Sequence, residues 1–297
     1  MRGGPPPTEQ GIRSAQLGVL VNATLAITKL VAGLVGNSYA LVADAIESTA
    51  DIFSSLIVWG GLRVASREPD EAYPFGYGRA ETLAAAVVAI MLIGAAVGIA
   101  VEAVVEIRTP HHAPAPWTLA VLVIVIVLKW ALSRRVGSVA AAIGSSAVRA
   151  DAWHHLSDAL TSAAAFVGIS IALGGGPGWE SADDWAALAA SAVILFNGGL
   201  MIKHSLGDLM DRTPGAGVLD GVRDAAERVD GVCATEKLAV RKSGLQYHVT
   251  IHVQADPQLS LHDAHVLGGK VKSAIRATMP NVQSVLVHME PFESALG

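Results

Sequence analysis

The 297 residues carry a net charge of -5, and 52% of them are hydrophobic while only 16% are charged. That balance lies well to the apolar side of an ordinary soluble domain. A single cysteine, Cys233, excludes an internal disulfide framework, and the acidic chain shows no basic, aromatic-interleaved stripe, so nucleic acid is not an expected partner.

The opening segment, MRGGPPPTEQGIRSAQ, is polar and lacks the short apolar stretch and small-residue cleavage site of a removable signal, so the first apolar run is expected to be retained. Apolar runs follow near 17–36, 40–65, 82–105, 117–132, 153–173 and 185–202. Each is about long enough for a helix to cross a hydrocarbon core, which takes ~20 residues. Turn residues separate them: Gly36-Asn37-Ser38, the segment 109–116 with His111 and His112, and the Gly-rich stretch 174–184. With the N-terminus inside, the inner loops hold Arg63, Arg67, Arg79, Arg134, Arg135, Arg149, Lys203 and Arg212, and the outer loops only Arg108. The positive-inside rule then places both termini in the cytoplasm. Short inner loops and the lack of a targeting segment fit a bacterial inner membrane.

Thr213-Pro214-Gly215-Ala216-Gly217 marks a linker, which divides the chain into a six-span domain, 1–212, and a cytoplasmic domain, 213–297. The second reads as a helix (218–229), a strand (235–242), a turn at Ser243-Gly244, a strand (245–254), a helix (261–278) and a strand (283–290). This α-β-β-α-β order predicts a small α+β sheet with its helices on one face.

Two spans carry chemistry. Span two contains Ala43-Asp44-Ala45-Ile46-Glu47-Ser48-Thr49-Ala50-Asp51, and span five contains Ala150-Asp151-Ala152-Trp153-His154-His155-Leu156-Ser157-Asp158. Both read Ala-Asp-Ala, then a candidate ligand, then an Asp four residues on. Residues four apart share a helix face, so Glu47 pairs with Asp51 and His154 with Asp158. Ionisable groups inside a span are costly and by default face a bundle interior or water. Spans two and five run in opposite directions, which sets Glu47 at the depth of Asp158 and Asp51 at that of His154. Three carboxylates and an imidazole form a workable four-coordinate set, with Zn2+ favoured and Fe2+, Mn2+, Co2+ or Cd2+ acceptable. Metal and proton compete for the same lone pairs, so the group suits metal/proton exchange. His155 points about 100° away from His154 and reads as a residue that packs or supports the ligands from behind rather than as a ligand. Asp44 and Asp151 fall at opposite ends, and a hydrogen bond to a neighbouring helix is an equal alternative for each. Lys29 and Lys129 can snorkel or pair and are assigned no transport role. Gly76-Tyr77-Gly78 lacks the Lys-Ser/Thr and preceding strand of a phosphate loop.

The chain resembles the cation diffusion facilitators, divalent-metal/proton antiporters. The likeness rests on Gly36-Asn-Ser-Tyr-Ala-Leu-Val-Ala-Asp-Ala45 leading into Glu47 and Asp51, on Tyr73-Pro-Phe-Gly-Tyr-Gly-Arg-Ala-Glu81 before span three, on His154 and Asp158, and on the size of the tail. The resemblance implies a transport site at Glu47, Asp51, His154 and Asp158, a metallochaperone-like tail and a homodimer with tails in contact. It also implies an interlock between Arg79 and Asp211 at the dimer core, and tail metal ligands at Glu236, His252, His265, His288 and Glu290. Glu47 replaces the commoner His or Asp, and Tyr73 and Tyr77 stand beside Asp70 where many relatives have loop histidines. No enzymatic acid/base or nucleophile pairing is evident. A membrane metalloenzyme and a non-transporting sensor or scaffold are the alternative classes.

Overall fold

The computed structural model describes residues 6–35, 39–108, 118–175, 178–179 and 181–293, and in parts of the helices, 39–51 among them, the backbone alone. The outer segments around Gly36 and around His111 and His112 lie outside the described residues. Two compact units result, Met1–Leu206 and Gly207–Gly297.

The first unit is helical: α1 (Pro7–Val35), α2 (Tyr39–Ala65), α3 (Arg79–Arg108), α4 (Thr118–Ile143), α5 (Ser146–Gly175) and α6 (Ala182–Leu209), whose last turn belongs to the second unit. All six expected spans are helices. α1 packs on α2 and α4 on α5, the pairs joined through α1–α4 and α2–α5 contacts, with α3 against α2 and α5. α6 meets α3 where Gly198 faces Ile93. The sequence explains the faces of α3. Ala84, Ala85, Val88, Ala89, Leu92 and Ala96 are buried, whereas Leu83, Val87, Ile90, Val97 and Val101 are exposed. Small residues toward neighbouring helices and large apolar ones outward is the pattern of a helix solvated by lipid. Mean hydropathy over the most apolar window reaches 2.7 on α3 and 1.8 on α6, and both are long enough to cross a membrane.

Several helices outrun their apolar stretches. α1 begins at Pro7, whose fixed φ and missing N–H suit a first helical turn. α4 continues through Arg134 and Arg135 to Ile143. Glu81 then ties α3 to the start of α5: its fully buried carboxylate accepts Ser145 Oγ at 2.7 Å, Ser146 Oγ at 3.0 Å and the Ala147 N–H at 2.8 Å. A negative charge at a helix N-terminus meets orphan N–H groups and the favourable end of the helix dipole.

The second unit is α7 (Ala216–Glu227), β1 (Ala234–Ser243), β2 (Gln246–Ala255), α8 (Leu261–Thr278) and β3 (Val282–Pro291), the order expected. The sheet order is β1-β2-β3, antiparallel then parallel. Gly244, at φ 60°, opens a two-residue turn between Ser243 and Gln246, a conformation that suits a residue without a Cβ. Ser260 caps α8 by accepting the Asp263 N–H at 3.1 Å. Val222, Ala225 and Ala226 of α7 and Val271 and Ile275 of α8 pack on Val249, Ile251, Val253 and Val285. Alternation therefore turns His248, His252, Leu286, His288 and Glu290 to the face opposite the helices.

Candidate metal centre

In the membrane unit, α5 presents His154 and Asp158 one turn apart, His154 buried and Asp158 22% exposed at its side chain. Below them Ser55 Oγ of α2 donates to Asp151 Oδ1 at 3.1 Å. Asp151 and His155 are fully buried, 3.8 Å apart, and a Cβ added to Gly18 of α1 would stand 2.9 Å from Ser55 Oγ. Asp151 thus joins α5 to α2, the structural one of its two expected roles, and His155 packs beneath the site. The Ser55–Asp151 bond also fixes register. In an antiparallel pair, one turn along each helix brings position 51 level with 154–155, and a second brings 47 level with 158. The side chains of Glu47, Asp51 and Lys29 are outside the described residues.

Sequence reasoning named the cation beside these residues but gave it no role and no partner. Lys129 of α4 is 2% exposed and donates from Nζ to Asp158 Oδ2 at 2.8 Å and to Asn22 Oδ1 at 3.1 Å. Of the two expected fates, snorkelling and pairing, it takes the second, with a residue of the proposed transport site.

The tail holds a second group. Cα partners across the sheet are Glu236 with His252 and His252 with His288. One ligand atom from each of His252, His288 and Glu290 lies within 4.8 Å of the others. His252 Nδ1 is 2.7 Å and His288 Nε2 3.7 Å from Glu290 Oε1. Lys237 enters this group through a bulge between Glu236 and Ala239, where it adopts φ 46°. Its Nζ lies 2.9 Å from Glu236 Oε1 and 3.4 Å from Glu290 Oε1, and both contacts raise its pKa. Hydrogen bonding to His252 is the largest influence on the Glu290 carboxyl, which is lowered to about 2.

The other expected sites separate from these. His265 is not brought to the tail group within one chain: it is exposed on α8, which covers the opposite face of the sheet. Asp70 is consumed by its own loop, accepting the Ala72 and Tyr73 N–H groups at 3.0 and 2.8 Å and the Tyr77 hydroxyl at 2.6 Å. The Tyr77 bond foremost lowers its pKa. Asp211, at φ 57° beyond α6, faces Arg241 Nη1 at 3.3 Å.

Comparison with known proteins accounts for both units. The cation efflux transmembrane domain matches residues 15–210, and the cytoplasmic domain of cation efflux proteins matches 215–292. The chain belongs to the cation efflux, or cation diffusion facilitator, family: multi-pass membrane proteins that transport metals and are not enzymes. It is 31% identical to magnetosome protein MamM of Paramagnetospirillum magneticum, over 94% of this chain and 87% of that one. It is 28% identical to the manganese efflux system protein MneP of Bacillus subtilis, over 94% and 95%. Metal tolerance protein C1 of Arabidopsis thaliana is 30% identical over 96% of the chain, which spans 63% of that longer protein.

Proposed function

We propose that the protein exports a divalent transition metal from the cytoplasm in exchange for protons, through a site formed by Glu47, Asp51, His154 and Asp158. The observation that carries this reading is the placement of His154 and Asp158, one turn apart, within a helical bundle. Buried ionisable side chains are retained in a membrane where they serve transport. Each donor binds metal only when it has given up its proton, so loading from the cytoplasm releases protons and returning protons release the metal. Three carboxylates and one imidazole accept Zn2+, Mn2+ and Fe2+ alike. Zn2+ remains favoured by a four-coordinate set, and the name of the Bacillus relative sets Mn2+ beside it.

The same proposal takes the protein to be a homodimer of the bacterial inner membrane with both termini cytoplasmic, its tails in contact. Asp211, which faces Arg241 within its own chain, would share that contact with Arg79 in the interlock. His252, His288 and Glu290, with Glu236 beside them, form a cytoplasmic metal site that stabilises whichever tail arrangement binds metal better. Flux of Zn2+, Fe2+, Mn2+, Co2+ and Cd2+ into liposomes under an imposed pH gradient tests the reading. Saturable, gradient-driven uptake that disappears in Asp51→Ala is expected. Absence of flux for every metal from folded, dimeric protein would favour a sensor or scaffold.

A further inference from the structure

Lys129 stands on α4, which contributes none of the four proposed ligands, yet its ammonium lies 2.8 Å from Asp158 Oδ2. We propose that Lys129 is a specificity-determining residue of the transport site, a tethered cation that occupies Asp158 in the metal-free state and that an arriving metal must displace. The inference rests on the transport reading only in taking Asp158 as a ligand.

The contact is well built for this. Lys129 is 2% exposed, and it also donates to the neutral Asn22 carbonyl oxygen at 3.1 Å. Away from water, opposite charges attract several times more strongly than at a surface. The ammonium therefore keeps Asp158 compensated whenever the metal has left, and removing one partner of a buried pair leaves a costly lone charge. A metal bound at Asp158 oxygen, ~2.1 Å away, takes lone-pair density that the Lys129 N–H now uses. The ammonium must then turn from Asp158, with Asn22 placed to keep one of its hydrogen bonds.

Two consequences follow for the cargo. Displacing a resident single charge favours a dication, because Na+ or K+ would gain no charge over the ammonium already there. The competition also weakens metal binding, and a carried ion must bind well enough to load and loosely enough to leave.

The test uses full-length protein with the tail group silenced by His252→Ala, His288→Ala and Glu290→Ala, so that Zn2+ and Mn2+ report on the membrane site. In this background Lys129→Gln removes the charge and keeps hydrogen-bond donors toward Asp158 and Asn22. Calorimetric Kd values for both metals should fall by about tenfold or more. In liposomes KM should fall with them, while kcat also falls because release slows. Lys129→Met, neutral and of similar length, serves if the Gln variant does not fold. Unchanged or weaker binding by a folded variant overturns the proposal, since loss of a merely structural contact would not tighten a metal site. Tighter binding without flux from either protein keeps the displaced lysine and overturns the transport reading. Flux with unchanged Kd and KM does the reverse.

Discussion

Each half of the molecule sets a lysine against the carboxylates of a candidate metal group, but in opposite surroundings. Lys129 is 2% exposed beside Asp158, whereas Lys237 is 62% exposed between Glu236 and Glu290. A buried ion pair is screened little and costly to break, while an exposed one is worth about 0–1 kcal/mol. A lysine set against a carboxylate therefore does two kinds of work. In the membrane the lysine is a tenant that a metal must evict, and in the tail it is a loose neighbour that water can replace.

Removing the carboxylate tests the contrast most severely. Asp158→Ala should abolish metal flux and also destabilise the membrane unit, on the order of 3 kcal/mol, because the buried Lys129 ammonium loses the Asp158 carboxylate. Adding Lys129→Met should recover much of the thermal stability and none of the flux. Glu290→Ala should lower the melting temperature far less, losing only the carboxylate's own hydrogen bonds, since Lys237 is already in water. A melting temperature that falls equally for Asp158→Ala and Glu290→Ala would remove the distinction between the two sites.

Glu81 sharpens it further, as a fully buried carboxylate whose described partners are hydroxyls and one N–H rather than a cation. Its substitution by Ala should lower stability by about 2 kcal/mol, by uncapping α5 and leaving Ser145, Ser146 and the Ala147 N–H short of an acceptor. Thermal unfolding in detergent reads this directly. Metal affinity should change little, because Glu81 lies two helical turns before His154 in its contacts with α5; a large loss of affinity would mean that the cap also positions the site.

These residues show where sequence patterns stop being informative. Spans and tail elements follow from local signals: apolar length, period-two alternation between 245 and 254, and the Ser243-Gly244 turn. The pairing of His154 with Asp158 is equally local, a matter of spacing along one helix. Lys129 with Asp158, and Glu81 with Ser145, join residues on different helices, and the choice of partner depends on which faces α4, α5 and α3 present to one another. The helical extensions at Pro7 and Ile143 escape hydropathy because their polar turns lie beyond the apolar stretch. His265 entered the tail set through resemblance rather than geometry, and α8 carries it to the other side of the sheet.

The smallest effect belongs to the tail and depends on acid. The Glu290 carboxyl is held at about 2, against an ordinary 4.5, chiefly by its hydrogen bond with His252 and further by Glu236 and Lys237. A folded pKa below the unfolded one stabilises the fold above the unfolded value, and that contribution drains away as pH falls from about 4.5 toward 2. A fluorophore on Cys233, the chain's single cysteine and exposed in the tail, allows denaturant unfolding of this unit to be followed in the full-length protein. Between pH 5 and pH 8 the difference in midpoint between wild type and Glu290→Gln should stay constant as far as Glu290 is concerned. Below pH 4.5 the two should converge, because protonation does to the wild type what the substitution has already done. A gap that persists down to pH 2 would mean that His252 and Lys237 do not hold the carboxylate in its charged form, and the view of Lys237 as a weak occupant of the tail group would go with it.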